Sequence, residues 1–209
     1  MKKLLFSLLI SIIATHNLTA QTIIAQGTCG AQGDNLWWVL TSDSVLTISG
    51  VGEMENYSFW WHIDENDEQH ITSNSPFGHR SDIKTVVIKE GVTSIGNSAF
   101  YKCSDLVSVI IPSSLTKIGE QSFAFCSSLI SFTSYALIPP TIGRNSFVGV
   151  INYIAAVDNQ EAFIRLYVPA QSVELYQYYW IGFEVFAIEK ETKQRNFFQR
   201  LFGTRRNKL

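Results

Sequence analysis

Apolar and polar residues alternate in two early stretches, Trp37–Leu40 and Val45–Ser49, separated by the polar run Thr41–Ser44. Period-two alternation puts successive side chains on opposite faces of a strand, so the pair predicts a hairpin turning at Thr41–Ser44. Short apolar-rich segments then recur at 83–88, 106–111, 129–133 and 164–168, a length that fits strands rather than helices. The run Val109–Ile111 stops at Pro112, which cannot donate to a ladder. Beyond these, Ser172 is placed to cap a helix over Val173–Trp180, with Glu174 favourable in its first turn. Phe197, Phe198, Leu201 and Phe202 also fall at helical spacing, with Arg200 and Arg205 around them. Residues 191–209 therefore read either as a disordered tail or as a short amphipathic helix.

The apolar positions repeat at a longer period as well. Val92–Leu106 can be laid over Leu115–Leu129 at a constant offset of 23, which matches Ile95 to Ile118, Gly96 to Gly119, Phe100 to Phe123, Cys103 to Cys126 and Leu106 to Leu129. A third copy begins at Thr141–Phe147 after one inserted residue, a half-copy precedes the set at Asp82–Ile88, and a decayed fourth strand reads Phe163–Pro169. One such unit is too small to bury its own apolar side chains, whereas stacked copies form a continuous interior. Stacking would place Phe100 on Phe123 as an aromatic spine. Gly96 and Gly119 are expected at tight corners needing positive φ.

The repeated phrase Ile-Gly-x-x-x-Phe-x-x-Cys-x-x-Leu resembles the BspA-type leucine-rich repeat of bacterial surface proteins. Gly27–Gly30, Leu36–Leu40 and Leu46–Gly52 are similar to the N-terminal β-hairpin cap of such proteins. Leu166–Ala170, Ser172–Trp180 and Phe183–Ile188 are similar to their C-terminal closing coil. The resemblance covers roughly residues 27–190 and departs from the family at 55–75 and from Glu191 onward. It implies a β-rich leucine-rich-repeat solenoid of about three 23-residue coils, with an N-terminal β-hairpin cap and a closing coil carrying one short helix. The expected organisation is an N-terminal cap with a polar insert over 21–81, the solenoid and C-terminal cap over 82–190, and a basic tail over 191–209. The implied role is adhesion or protein binding.

Composition narrows the role further. Charged residues are only 16% and apolar residues 46% of the 209, which excludes disorder over most of the chain. The net charge of −2 hides a split: residues 189–209 carry seven basic and two acidic side chains, while 21–188 carry seven basic and sixteen acidic ones. An acidic body offers no footprint for nucleic acid. Lys2 and Lys3 followed by the apolar stretch Leu4–Ala14 and a polar segment ending at Ala20 form the pattern of a secretory signal peptide, residues 1–20. Eleven residues span about half of a bilayer core, too little for a membrane anchor. The expectation is an exported protein, secreted, periplasmic or on the cell surface.

If Val86, Val109, Phe132 and Leu166 point inward, strand geometry turns Thr85, Ser108, Ser131 and Arg165 outward. Val87, Ile110, Thr133 and Tyr167 form the neighbouring outward column. These eight are the candidate contacts for a protein partner. A carbohydrate-binding alternative uses Trp60, Trp61, Tyr179 and Trp180, although Trp60 and Trp61 read more simply as closing the first layer. The acidic stretch Trp60–His70 lacks the Gly and Glu spacing of a calcium loop, and His62 and His70 have no cysteine beside them, so no metal site is expected and the segment reads as a solvated loop. Cys103 and Cys126 sit one copy apart, close enough for a disulfide, but parallel side chains favour stacked free thiols. No nucleophile–base arrangement, phosphate loop or CxxC is present, and His79 beside Arg80 and Asp82 has no nucleophile in fixed relation. The chain reads as a non-enzyme without a cofactor, and its basic tail as solvated, membrane-lying or docked on the acidic body or a partner.

Overall fold

Hydrophobic alternation in 23–50 produces three antiparallel strands, β1 (Ile23–Gly30), β2 (Gly33–Thr41) and β3 (Val45–Gly50), which bury Cys29, Leu36, Leu40, Leu46 and Ile48. A computed structural model describes residues 21–63, 66, 69–150 and 164–188 of the chain. The signal-peptide and tail readings lie outside these residues. A two-residue strand β4 (Gly52–Glu53) follows, then a hairpin of β5 (Phe59–Ile63) and β6 (Gln69–Ser73). The 55–75 segment is thus not the plain solvated loop its acidic residues suggest. Its flanks pair from Phe59↔Ser73 to Ile63↔Gln69.

The repeat contributes strands in pairs: β7 (Thr85–Ile88) with β8 (Val92–Ile95), β9 (Ser108–Ile111) with β10 (Lys117–Ile118), and β11 (Ser131–Ser134) with β12 (Thr141–Ile142). The chain closes with β13 (Ile164–Val168), a helix α1 (Val173–Tyr179) and β14 (Phe183–Ala187). Among the described residues this gives a strand-rich protein with one short α-helix. The first strand of each pair joins an eight-stranded sheet in the order β1-β2-β3-β7-β9-β11-β13-β14, and the second joins a four-stranded sheet, β12-β10-β8-β4. Parallel register follows the sequence offset, with Val86↔Val109↔Phe132↔Leu166 in one sheet and Ile95↔Ile118↔Ile142 in the other. The connecting turns are bonded in the same way: Phe100 N–H donates to Ser122 O at 2.8 Å and Phe123 N–H to Ser146 O at 2.9 Å.

Between the two sheets runs a stack of phenylalanines. Centroids of Phe77–Phe100, Phe100–Phe123 and Phe123–Phe147 are 5.1, 5.2 and 5.4 Å apart and each pair is within 16° of parallel. Phe77 shows that the half-copy at 82–88 begins earlier, since Asn74-Ser75-Pro76-Phe77 anticipates Asn97-Ser98-Ala99-Phe100. Trp38 and Tyr57 meet Phe77 edge-on at one end. Trp60 does not close that layer, because it stands 48% exposed on the hairpin. Trp180 closes the other end against Phe132 and Phe147.

Two expectations about backbone and caps are corrected. Gly96 and Gly119 do not adopt positive φ. They are needed for close approach: a Cβ on Gly96 would fall 1.7 Å from Glu55 O, and one on Gly119 would fall 2.6 Å from Asn97 N. The left-handed corner is instead taken two residues on, by Ser98, Gln121 and Asn145. Ser172 does not cap α1 through its side chain, and its hydroxyl donates to Leu137 O at 2.9 Å, tying the helix to the preceding turn. The cysteines carry free, buried thiols. Cys103 Sγ donates to Phe77 O at 2.9 Å and Cys126 Sγ to Phe100 O at 3.1 Å, so each thiol serves the neighbouring copy's backbone rather than the other sulfur.

Candidate binding surface

Because strand side chains alternate, the repeat strands of the eight-stranded sheet turn two rows outward and bury two, the second buried row holding Ile48, Ile88, Ile111 and Val168. Leu46, Val86, Val109, Phe132 and Leu166 are buried in register. On one side of this row lie Val45, Thr85, Ser108, Ser131, Arg165 and Glu184, and on the other Thr47, Val87, Ile110, Thr133, Tyr167 and Phe186. All eight residues singled out in the sequence fall in these two rows, half-buried except for the exposed Arg165. The Thr85 and Ser108 hydroxyls are 3.1 Å apart, and the rings of Tyr167 and Phe186 stack at 5.6 Å.

The rows are wider than the sequence analysis put them. Thr47 pairs with Val39 of β2 and Val39 with Gln26 of β1, so the second row crosses all eight strands, about 34 Å at ~4.8 Å per strand. Phe186 and Val39 were legible as alternating positions, yet the repeat does not contain them. Arg165 and Glu184 face each other across β13 and β14 at one margin, and the centre of the surface carries no charge.

The aromatic set behaves differently. Trp60 and Tyr179 are 48% and 62% exposed, whereas Trp180 is 2% exposed, with its indole N–H donating to Pro140 O at 3.1 Å. Trp180 is thus a closing residue of the last layer and has no face free for a sugar. The Trp61 side chain lies outside the described residues. Trp60 belongs to the hairpin, whose Phe59 stacks on Tyr101 at 4.4 Å, and Tyr179 to the helix over the opposite end, so the structure does not bring them together.

His62 and His70 pair across the hairpin, with side chains outside the described residues. Among the described residues no group of three or more His, Cys, Asp or Glu is arranged around a common centre for a metal. Arg80 Nε and Nη2 hold Asp82 at 2.7 and 2.5 Å, and that hydrogen-bonded pairing keeps the Asp82 carboxyl below its ordinary range. Burial raises the thiols of Cys29 and Cys103 to about 12, which removes both as nucleophiles at neutral pH.

Residues 63–163 match a family model described as a BspA type leucine rich repeat region, in six copies. Two solved structures are similar. One is a leucine-rich repeat protein from Eubacterium ventriosum ATCC 27560, 21% identical, covering 79% of this chain and 45% of that one with a TM-score of 0.40. The other is a leucine rich cell surface protein from Faecalibacterium prausnitzii A2-165, 22% identical, covering 74% of this chain and 41% of that one with a TM-score of 0.32. The chain spans less than half the length of either. No curated protein matches the sequence.

Proposed function

From the premise that this chain is a BspA-type leucine-rich repeat protein, with the repeat region over residues 63–163, we propose that it is an exported, non-catalytic protein-binding module of adhesion type. In this reading the paired sheets are one solenoid of 23-residue coils, capped by the β1–β3 strands and closed by α1 and β14. The signal-peptide pattern of Lys2–Ala20 supports export to the periplasm, the cell surface or the medium.

One observation carries the reading. Two outward rows run in unbroken register across the sheet, their centre free of charge and mixed in hydroxyl, aliphatic and aromatic groups. A half-apolar sheet surface of this width suits a folded protein better than a small molecule, which needs a concave pocket. The partner is therefore a protein, and Thr85, Val87, Ser108, Ile110, Ser131, Thr133, Arg165 and Tyr167 form the contact.

The test compares wild type with a Ser108→Arg, Ile110→Asp double variant in crosslinked capture from extracellular material. Loss of the captured protein in the folded variant is the expected result. An unchanged set of partners would discard the surface.

A further inference from the structure

A second site lies on the turns rather than on the strands. A groove of about 500 Å³ is lined by His79, Lys102, Ser104, Phe125, Ser127 and Gly149. The repeat builds it, since His79, Lys102 and Phe125 are spaced by 23, Gly149 follows after the inserted residue, and Ser104 and Ser127 form a parallel column. His79, Lys102 and Phe125 are bonded through Tyr101 O, Ala124 O and Val148 O to the next copy, so the groove runs along the stack.

The groove corner repeats one backbone conformation, as the corner of Ser98, Gln121 and Asn145 does. Residues 79, 102, 125 and 149 all adopt the left-handed conformation, with φ of 61, 57, 60 and 70°. Glycine adopts this conformation without steric cost, and other residues are strained in it. Gly149 shows that glycine is accommodated at this corner. Three of the four copies nonetheless carry an imidazole, an ammonium and a phenyl ring there, at the expense of stability.

Each group has chemistry to offer. Lys102 makes no ion pair among the described residues, and the nearby carboxylates are engaged: Asp82 by Arg80, and Asp105 by the Ser104 hydroxyl at 3.1 Å. Ser104, having donated its proton, offers lone pairs to an incoming hydroxyl. Ser127 has no side-chain partner among the described residues and can donate as well as accept. Burial and the Lys102 charge hold His79 below its ordinary value, so the ring is neutral at pH 7 and offers one donor and one acceptor. Phe125 is 43% exposed, and its ring covers Gly149, where a Cβ would fall 2.5 Å from Cδ1. A side chain at 149 would push that ring away.

One unpaired cation, neutral donors and acceptors, and an exposed ring together match a polyhydroxylated ring bearing a carboxylate. We propose that this groove binds carboxylated sugars, with the acid group on Lys102, ring hydroxyls on Ser104, Ser127 and His79, and an apolar sugar face on Phe125. A bare phosphate or sulfate fits less well. A compact anion would have Lys102 alone, because the backbone N–H groups of His79, Lys102 and Phe125 already donate to carbonyls at 2.9, 2.8 and 2.7 Å. The same bonds leave no strand edge there for an acidic peptide. The site is separate from the strand surface of the proposed protein partner.

The whole chain is applied to a glycan array carrying carboxylated, sulfated and neutral oligosaccharides, with poly-glutamate spotted beside them. Carboxylated glycans should be retained over all other probes. Lys102→Gly should lower that retention about tenfold or more, the size of a lost charge-assisted contact, and Phe125→Gly should lower it through loss of the ring face, with circular dichroism showing both variants folded. Ile110→Asp should bind as wild type, which keeps this test independent of the strand surface. The proposal is overturned if no carboxylated glycan is retained, if sulfated glycans, neutral glycans or poly-glutamate are retained equally, or if both glycine variants bind as wild type does.

Discussion

The two sheets are written by the same 23-residue unit, yet they constrain it in opposite ways. On the four-stranded side the strands are two to four residues long and the main chains nearly touch, so Gly96, Gly119 and Gly143 each face backbone atoms less than 3 Å from where a Cβ would sit. On the eight-stranded side the outward positions pass from Thr85 through Ser108 and Ser131 to Arg165, four residues of three types in one register. The repeat is rigid where backbone meets backbone and permissive where side chains meet water. Function has room to vary only on the second side and at the turns.

The sharpest way to break this contrast is through the interior both sides share. Phe123→Ala, which removes a ring stacked on Phe100 and Phe147, should destabilise by about 3–5 kcal/mol, read as the shift in urea midpoint at constant slope. Gly119→Ala should cost about 1–3 kcal/mol, because Asn97 N and Gly96 C at 2.6 and 2.7 Å cannot rotate away. Ser131→Val on the outward row should change stability by less than about 0.5 kcal/mol. If Gly119→Ala proved as mild as Ser131→Val, the rigid side would not be rigid.

A gentler probe uses acid. The Glu90 carboxylate accepts from Ser113 N at 2.8 Å, and also from Ser113 Oγ and Ser114 N, and these bonds lower its pKa from 4.5. A lowered carboxyl stabilises the fold above its unfolded value, and the contribution disappears as pH falls through the folded one. Glu90→Gln should therefore lie slightly below wild type at neutral pH and converge with it as pH falls through the lowered carboxyl value. A gap of constant size across that range would assign the loss to packing instead.

Much of this was legible in the sequence because two periodicities coincide. The inward row Val86, Val109, Phe132 and Leu166 follows from alternation plus the offset of 23. The second ladder was not legible, since strands as short as Lys117–Ile118 leave no alternation to read. The β5–β6 hairpin was hidden by the acidic residues between its strands in sequence, and the first copy by Arg80 standing where later copies have Cys103 and Cys126. Glycine is ambiguous in principle, serving torsion or proximity alike, and Gly96 was read as the former when neighbouring backbone demands the latter. The turn groove was not legible because His79, Lys102, Phe125 and Gly149 share a position in the repeat and no chemical type.

The thiols that tie one layer to the next also make the fold self-reporting. Cys103 and Cys126 are fully shielded and each donates to a carbonyl one layer away, so an alkylating reagent reaches them only when layers part. Cys29, buried in the opening strands, watches the cap in the same manner. The order in which the three sulfurs become labelled would show from which end the molecule unzips, with no dye or engineered probe added.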